Sequence, residues 1–189
     1  MRKVLFILMS LVLVMLPGVA LSVDLVTNGG FETGNISGWT FTQAPSGTDF
    51  YVSGNSHSGN YAAAFGAVGS YDDSISQTLS TIPGQPYNLT FWLAHSQSNN
   101  ANDFHVTWGG TPLLDLVNAN IFGYTGYAYS NEIASSSSTI LTFSGRENPS
   151  WYYLDDVSVT GAAVPEPATM LLLGSGLLGL WGFRKMFRK

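Results

Sequence analysis

From residue 24 to residue 163 apolar and polar side chains alternate in short runs, and no segment sustains a 3.6-residue apolar period. A period of two puts successive side chains on opposite faces of an extended strand. Leu89, Phe91 and Leu93 share one face, with Thr90, Trp92 and Ala94 on the other. Phe104, Val106 and Trp108 alternate with His105 and Thr107, and Thr139, Leu141 and Phe143 follow the same rule, as do Val157 and Val159 around Ser158. Further strands are predicted over 24–28, 39–42, 49–53, 61–65, 72–79, 112–117, 124–133 and 151–155. Turn signals such as Asn28-Gly29-Gly30, Ser37-Gly38, Gly59-Asn60, Pro83-Gly84 and Gly109-Gly110 separate them. About ten short strands in roughly 140 residues predict an all-β chain folded as a sandwich.

Charge divides the chain into three parts. Six of the seven basic residues lie in the first three or last six positions. Residues 23–163 hold eleven acids and one base, Arg146, a balance of -10. Phosphate recognition needs clustered Lys and Arg, so this charge excludes nucleic acid as a partner of the middle.

Residues 1–22 begin Met1-Arg2-Lys3, continue through VLFILMSLVLVML and leave through Pro17, Gly18 and small residues. A positive head, an apolar run and a small-residue exit make a signal peptide, to be cut by signal peptidase after Ala20 or Ser22. Export then fits a chain without cysteine, because a middle of this length buries a core without disulfides. Near the other end, an apolar run from Ala168 to Phe183 spans 16 residues. As a helix it is about 24 Å long, short of the roughly 30 Å hydrocarbon core, and the basic residues after it snorkel to close the gap. Residues 168–183 thus read as a short transmembrane helix, with the basic tail cytoplasmic and the acidic domain outside.

Pro165-Glu166-Pro167, the short Gly-containing apolar segment and the tail Arg184-Lys185-Met186-Phe187-Arg188-Lys189 together resemble the PEP-CTERM sorting signal of Gram-negative bacteria. The resemblance covers 164–189. It implies exosortase as a partner and delivery to the cell surface or extracellular matrix after transient anchoring through the helix.

The middle domain, 23–163, resembles over roughly residues 24–160 the jelly-roll carbohydrate-binding modules of the galactose-binding-like type. Leu25-Val26-Thr27-Asn28-Gly29-Gly30-Phe31-Glu32-Thr33-Gly34, then Gly38-Trp39, is similar to that group's opening; Ser58-Gly59-Asn60-Tyr61-Ala62, Ile75-Ser76-Gln77-Thr78-Leu79 and Pro86-Tyr87-Asn88-Leu89-Thr90-Phe91-Trp92 follow in order. Tyr153-Leu154-Asp155-Asp156-Val157-Ser158-Val159 is similar to its closing strand. The resemblance implies a jelly-roll β-sandwich and one structural Ca²⁺ held by Glu32 and Asp155, completed by carbonyls near Asn28–Gly30 and His57–Asn60. Oxygen ligands of mixed charge suit that ion. Strand alternation puts Asp156 on the opposite face.

Sugar recognition uses exposed aromatic faces beside hydrogen-bonding groups. Trp92, Tyr127 and Tyr129 are the candidates, the two tyrosines near Asn131 and Glu132. Catalysis has little support. There is no Gly-x-Ser-x-Gly elbow, no paired-carboxylate strand and no cysteine nucleophile. His57, His95 and His105 are too scattered for a local metal motif and read as surface or half-buried residues, and Asp72-Asp73 reads as a solvated turn pair. The reading that fits best is a non-enzymatic exported surface or matrix protein that associates with exopolysaccharide, as in a biofilm. A purely structural surface protein and a hydrolase on the same fold are the alternatives.

Overall fold

A computed structural model describes residues 23–97 and 101–162. The signal peptide, the sorting tail and the 168–183 segment lie outside the described residues. Ten strands form: β1 (Thr40–Thr42), β2 (Tyr51–Ser53), β3 (Ala62–Phe65), β4 (Asp73–Ser80), β5 (Pro86–His95), β6 (Asp103–Trp108), β7 (Thr111–Val117), β8 (Phe122–Ile133), β9 (Ser138–Arg146) and β10 (Tyr152–Gly161). They make two five-stranded sheets, ordered β1-β4-β9-β6-β7 and β2-β3-β10-β5-β8. Every pairing between these strands is antiparallel. This is the sandwich expected from the alternation, in the jelly-roll form that the resemblance implied. None of the helices among the described residues is long and apolar enough to cross a membrane.

The inward faces are the ones the alternation names. Leu89, Phe91 and Leu93 of β5 are fully buried, and so are Phe104 and Val106 of β6 and Leu141 and Phe143 of β9. Aromatic rings knit the two sheets across the core. Phe91 meets Phe143 edge-on at 5.2 Å between centroids, and Phe65 meets Phe104 at 5.3 Å. Edge-on contacts of this kind add about 0.5–1.5 kcal/mol each beyond the area they bury.

Two departures from the alternation matter for the site. The segment 24–28 is not a strand; it touches β10 through one bridge, Asp24 to Thr160, and the Leu25 N–H donating to the Val159 carbonyl at 2.8 Å. Its path then turns at Asn28, whose φ is 55°. The stretches 151–155 and 157–159 join into the single strand β10, which carries a bulge between Asp155 and Ser158. Asp156 sits in that bulge in the left-handed region, φ 49°. An extra residue in one strand breaks the two-residue period locally. Asp156 therefore reaches the same loop as Asp155 instead of lying on the opposite face.

Two further sequence expectations are corrected. Asp73 is not solvated but fully buried, accepting hydrogen bonds from the Ala44 N–H at 2.9 Å and the Thr48 hydroxyl at 2.6 Å. His95 is likewise fully buried, its Nε2 2.5 Å from Glu147 Oε2 and its ring stacked on Tyr152 at 4.2 Å. In both cases a polar partner distant in sequence removes the need for water, which a local pattern does not reveal.

Candidate functional site: an aromatic outer face and a carboxylate clamp

The outer face of the β2-β3-β10-β5-β8 sheet follows from register. Tyr51 of β2 stands opposite Ala64 of β3, Ala64 opposite Tyr153 of β10, and Tyr153 opposite Ala94 of β5. Tyr124 of β8 packs against the same small cluster, as does Trp151. One row across five strands thus alternates aromatic and alanine side chains. Directly opposed side chains on one face touch, so the rings close over Ala64, which is fully buried, and Tyr51 stays exposed at the edge of the row. A cavity of about 260 Å³ opens at the Ala94 end of the row, with Tyr124, Tyr153 and the buried His95 in its wall and Asn55 and Ser96 beside it.

The rings are held in place. The Tyr124 hydroxyl donates to the Asn55 carbonyl at 2.7 Å, and burial pushes its ionisation well above the ordinary phenol value. Trp151 donates from Nε1 to the Asp49 carbonyl at 3.1 Å and meets Tyr51 edge-on at 5.8 Å. Rigid aromatic faces beside a few fixed polar groups are what a site for a partly apolar, hydroxyl-rich ligand needs.

Trp92 lies one row along on this same outer face, opposite Asp155 and Gly126. Its ring is covered by the imidazole of His57, which stacks on it at 3.7 Å and 11°. Tyr127 and Tyr129 are elsewhere. They stand opposite Phe91 and Leu89 on the inward side of the sheet and stack on Phe91 at 5.1 and 6.2 Å. Burial raises the ionisation of both phenols. The structure therefore does not bring Trp92 together with Tyr127 and Tyr129. Sequence reasoning missed Tyr51, Tyr124, Trp151 and Tyr153. The available signal was the set of outward alanines, Ala64 and Ala94, where a soluble strand usually carries a polar side chain.

Beside this face the closing and opening segments meet. Glu32 and Asp155 both grip the loop 57–61. Glu32 Oε1 accepts from the N–H groups of Asn60 at 2.8 Å and Tyr61 at 2.9 Å, which holds its ionisation below the ordinary carboxylate value. Asp155 Oδ2 accepts from the N–H groups of His57 at 2.8 Å and Ser58 at 3.0 Å; burial outweighs these bonds and raises its ionisation. Asp156 accepts from the Ser58 hydroxyl at 2.7 Å, and its Oδ2 lies 2.6 Å from His57 Nδ1. Gly59 permits the approach of Glu32: a Cβ there would stand 2.4 Å from Oε1, and φ is +59°. A Cβ on Gly30 would lie 3.6 Å from Asp156 Oδ1, 3.8 Å from Asp155 Oδ1 and 3.7 Å from Glu32 Cγ. Glu32, Asp155 and Asp156 thus all bind the 57–61 loop, and Arg146, the sole Lys or Arg of the described residues, belongs to a different cluster. The donor set and charge fit a divalent cation that prefers oxygen.

Two five-stranded sheets closed over one core, with aromatic rings on one outer surface, define the class: a jelly-roll module. The chain belongs to the carbohydrate-binding domain family, which residues 23–131 match. Residues 163–189 match the PEP-CTERM protein-sorting motif, which marks an exported chain and implies processing by exosortase. Among curated proteins, the chain is similar to an endo-1,4-beta-xylanase A of Thermoanaerobacterium saccharolyticum, 30% identical over 149 residues. That match takes in 73% of this chain but only 13% of the xylanase. Among solved structures it is similar to TmCBM61 in complex with beta-1,4-galactotriose, with a TM-score of 0.59 and 21% identity, covering 75% of this chain and 100% of that one. The CBM22-1 xylan-binding domain of Paenibacillus barcinonensis Xyn10C follows at a TM-score of 0.52 and 18% identity, covering 76% and 97%. These structures share the fold.

Proposed function

We propose that this chain is an exported, non-enzymatic polysaccharide-binding protein, delivered by its sorting tail to the cell surface or extracellular matrix of a Gram-negative bacterium. Exosortase acts on the Pro165-Glu166-Pro167 signal after the 168–183 helix has anchored the chain in the membrane. The observation that carries the binding reading is the row Tyr51, Ala64, Tyr153, Ala94 and Tyr124 across the outer sheet face. Sugar rings present flat C–H faces to such aromatics, while Asn55 and Ser96 meet hydroxyls. Trp92 extends the same face once His57 moves aside. Tyr127 and Tyr129, on the inward side, act as packing for Phe91.

The ligand class to test first is a β-1,4-linked polysaccharide, xylan or galactan, by likeness to the modules above. The full-length chain in mild detergent should be retarded in gels containing the bound polysaccharide. Tyr153→Ala should lose that retardation. Wild-type mobility unchanged by every neutral and acidic polysaccharide tried would leave only the purely structural reading.

We also propose one structural Ca²⁺ at Glu32 and Asp155, with Asp156 beside it. Bound there, the ion supplies positive charge that joins the opening segment to β10 through the 57–61 loop. Its support is the gathering of Glu32, Asp155 and Asp156 on the one 57–61 loop, with no Lys or Arg among the groups that bind it. Adding Ca²⁺ back to chelated protein should raise the melting temperature of the wild type and leave Glu32→Gln unmoved. No rise in the wild type would contradict the site.

A further inference from the structure

A second group of ionisable side chains lies on the outer face of the other sheet, away from both the aromatic row and the Glu32–Asp155 clamp. Asp103 and His105 project from β6, Asp72 precedes β4, Asp115 comes from β7 and Arg146 ends β9. His105 Nδ1 lies 3.0 Å from Asp115 Oδ1. The ring's other nitrogen, Nε2, faces inward. Nε2 faces two carboxylates, Asp72 Oδ2 at 3.6 Å and Asp103 Oδ2 at 3.8 Å. Both distances are too long for a hydrogen bond. They are close to the roughly 3.3 Å that separates ligand atoms around a tetrahedral ion with bonds of about 2.0 Å. One ligand atom from each of Asp72, Asp103 and His105 lies within 4.8 Å of the others.

Two independent observations mark the spot as incomplete. Asp103 is 5% exposed, and its Oδ1 is buried without a hydrogen-bond partner, as is the Nε of Arg146, whose NH2 pairs with the other oxygen. Buried polar atoms are nearly always satisfied, and an orphan calls for a water or an ion. The charge is also unbalanced. Arg146 contacts Asp103 Oδ2 at 2.6 Å and Asp72 Oδ1 at 3.2 Å, while Asp115 contacts the imidazole, so the cluster holds three carboxylates and one guanidinium.

We propose that Asp72, Asp103 and His105 bind one divalent transition-metal ion of the Zn²⁺ class, with Asp115 orienting His105 and Arg146 fixing the two carboxylates. One nitrogen and two carboxylate oxygens suit Zn²⁺, whereas Ca²⁺ takes an all-oxygen shell. A carboxylate behind the ligating imidazole is the usual second partner of such a histidine. His105 is a third exposed, which gives the ion a way in from solvent. The ion would tie the start of β4 to β6, on the sheet opposite the proposed ligand face.

The test is calorimetric titration of ZnCl₂ into the untagged full-length chain in detergent, after chelation and dialysis. One ion per chain should bind. His105→Gln should abolish binding, and Asp115→Asn should weaken it by about 10–100-fold, the usual effect of removing a second partner. Glu32→Gln should bind Zn²⁺ as the wild type does, while His105→Gln should keep the response to Ca²⁺. Side-chain NMR of the wild type gives a reading that needs no variant: of the three histidines, His105 should shift most on adding Zn²⁺. Absence of saturable Zn²⁺ binding, equal affinity in His105→Gln, or a dominant shift at His57 would each overturn the proposal.

Discussion

The imidazole of His57 lies flat against the indole of Trp92, 3.7 Å between ring centroids and 11° from parallel. The same histidine contacts Asp156 through Nδ1 at 2.6 Å, so the 57–61 loop folds over Trp92 on the outer face. His57→Ala should uncover Trp92. The fraction of fluorescence quenched by iodide should rise, and stability should fall by about 1 kcal/mol, the worth of one stacked pair. Unchanged quenching would mean that the loop does not cover the ring.

Gly29 holds the opening segment against the bulge of β10. The Val157 N–H donates to the Gly29 carbonyl at 3.0 Å, and a Cβ on Gly29 would stand 1.9 Å from the Val157 carbonyl oxygen. Backbone cannot yield as a flexible side chain does. Gly29→Ala should cost about 2–3 kcal/mol, in the range of overpacking, read as a lower urea midpoint. Gly84→Ala provides a contrast, because nothing lies within 4 Å of a Cβ there and only its φ of +79° opposes the change.

Glu32 should make stability depend on acidity with a defined sign. Its ionisation in the folded chain lies below the ordinary 4.5, because the Asn60 and Tyr61 N–H groups favour the charged form. The unfolded chain therefore takes up the proton first as pH falls. The stabilisation is complete above about pH 5 and is lost as pH drops through the folded value. With chelator present, the urea midpoint of the wild type should exceed that of Glu32→Gln at pH 6, and the gap should narrow towards pH 3. A gap independent of pH would contradict the assignment.

His95 and Glu147 form a pair with both side chains fully buried, 2.5 Å apart. Glu147→Leu removes the acceptor at His95 Nε2 where water cannot replace it. A cost of about 1–3 kcal/mol follows for the stranded nitrogen, seen in the thermal midpoint. Because His95 borders the 260 Å³ cavity, the same variant should also weaken polysaccharide binding.

The strand faces were legible because the two-residue period is local. Leu89, Phe91 and Leu93 needed only their own neighbours to be placed inward, and the resemblance of residues 24–160 to jelly-roll modules ordered the strands. The site was legible only in part. Glu32 and Asp155 hold the two ends of one loop, Glu32 at Asn60–Tyr61 and Asp155 at His57–Ser58. Trp92 and Tyr127 were grouped by chemistry, yet a strand pairing of Phe91 with Tyr127 and Trp92 with Gly126 sends them to opposite faces. Register between strands 35 residues apart is not written in either strand alone. The bulge at Asp156 hid a carboxylate for the same reason, and the Asp72, Asp103 and His105 cluster exists only because β4, β9 and β6 are neighbours.

The central claim is that the outer face of the β2-β3-β10-β5-β8 sheet binds polysaccharide. Its most direct test is affinity electrophoresis of full-length wild type, Tyr153→Ala and Tyr127→Ala in gels containing xylan or β-1,4-galactan. The wild type should be retarded, and Tyr127→Ala should be retarded equally. Tyr153→Ala should migrate as if no polysaccharide were present, or at least about fivefold weaker, the equivalent of about 1 kcal/mol for one ring. Retardation lost in Tyr127→Ala but kept in Tyr153→Ala would place the ligand on the other side of the sheet and contradict the account.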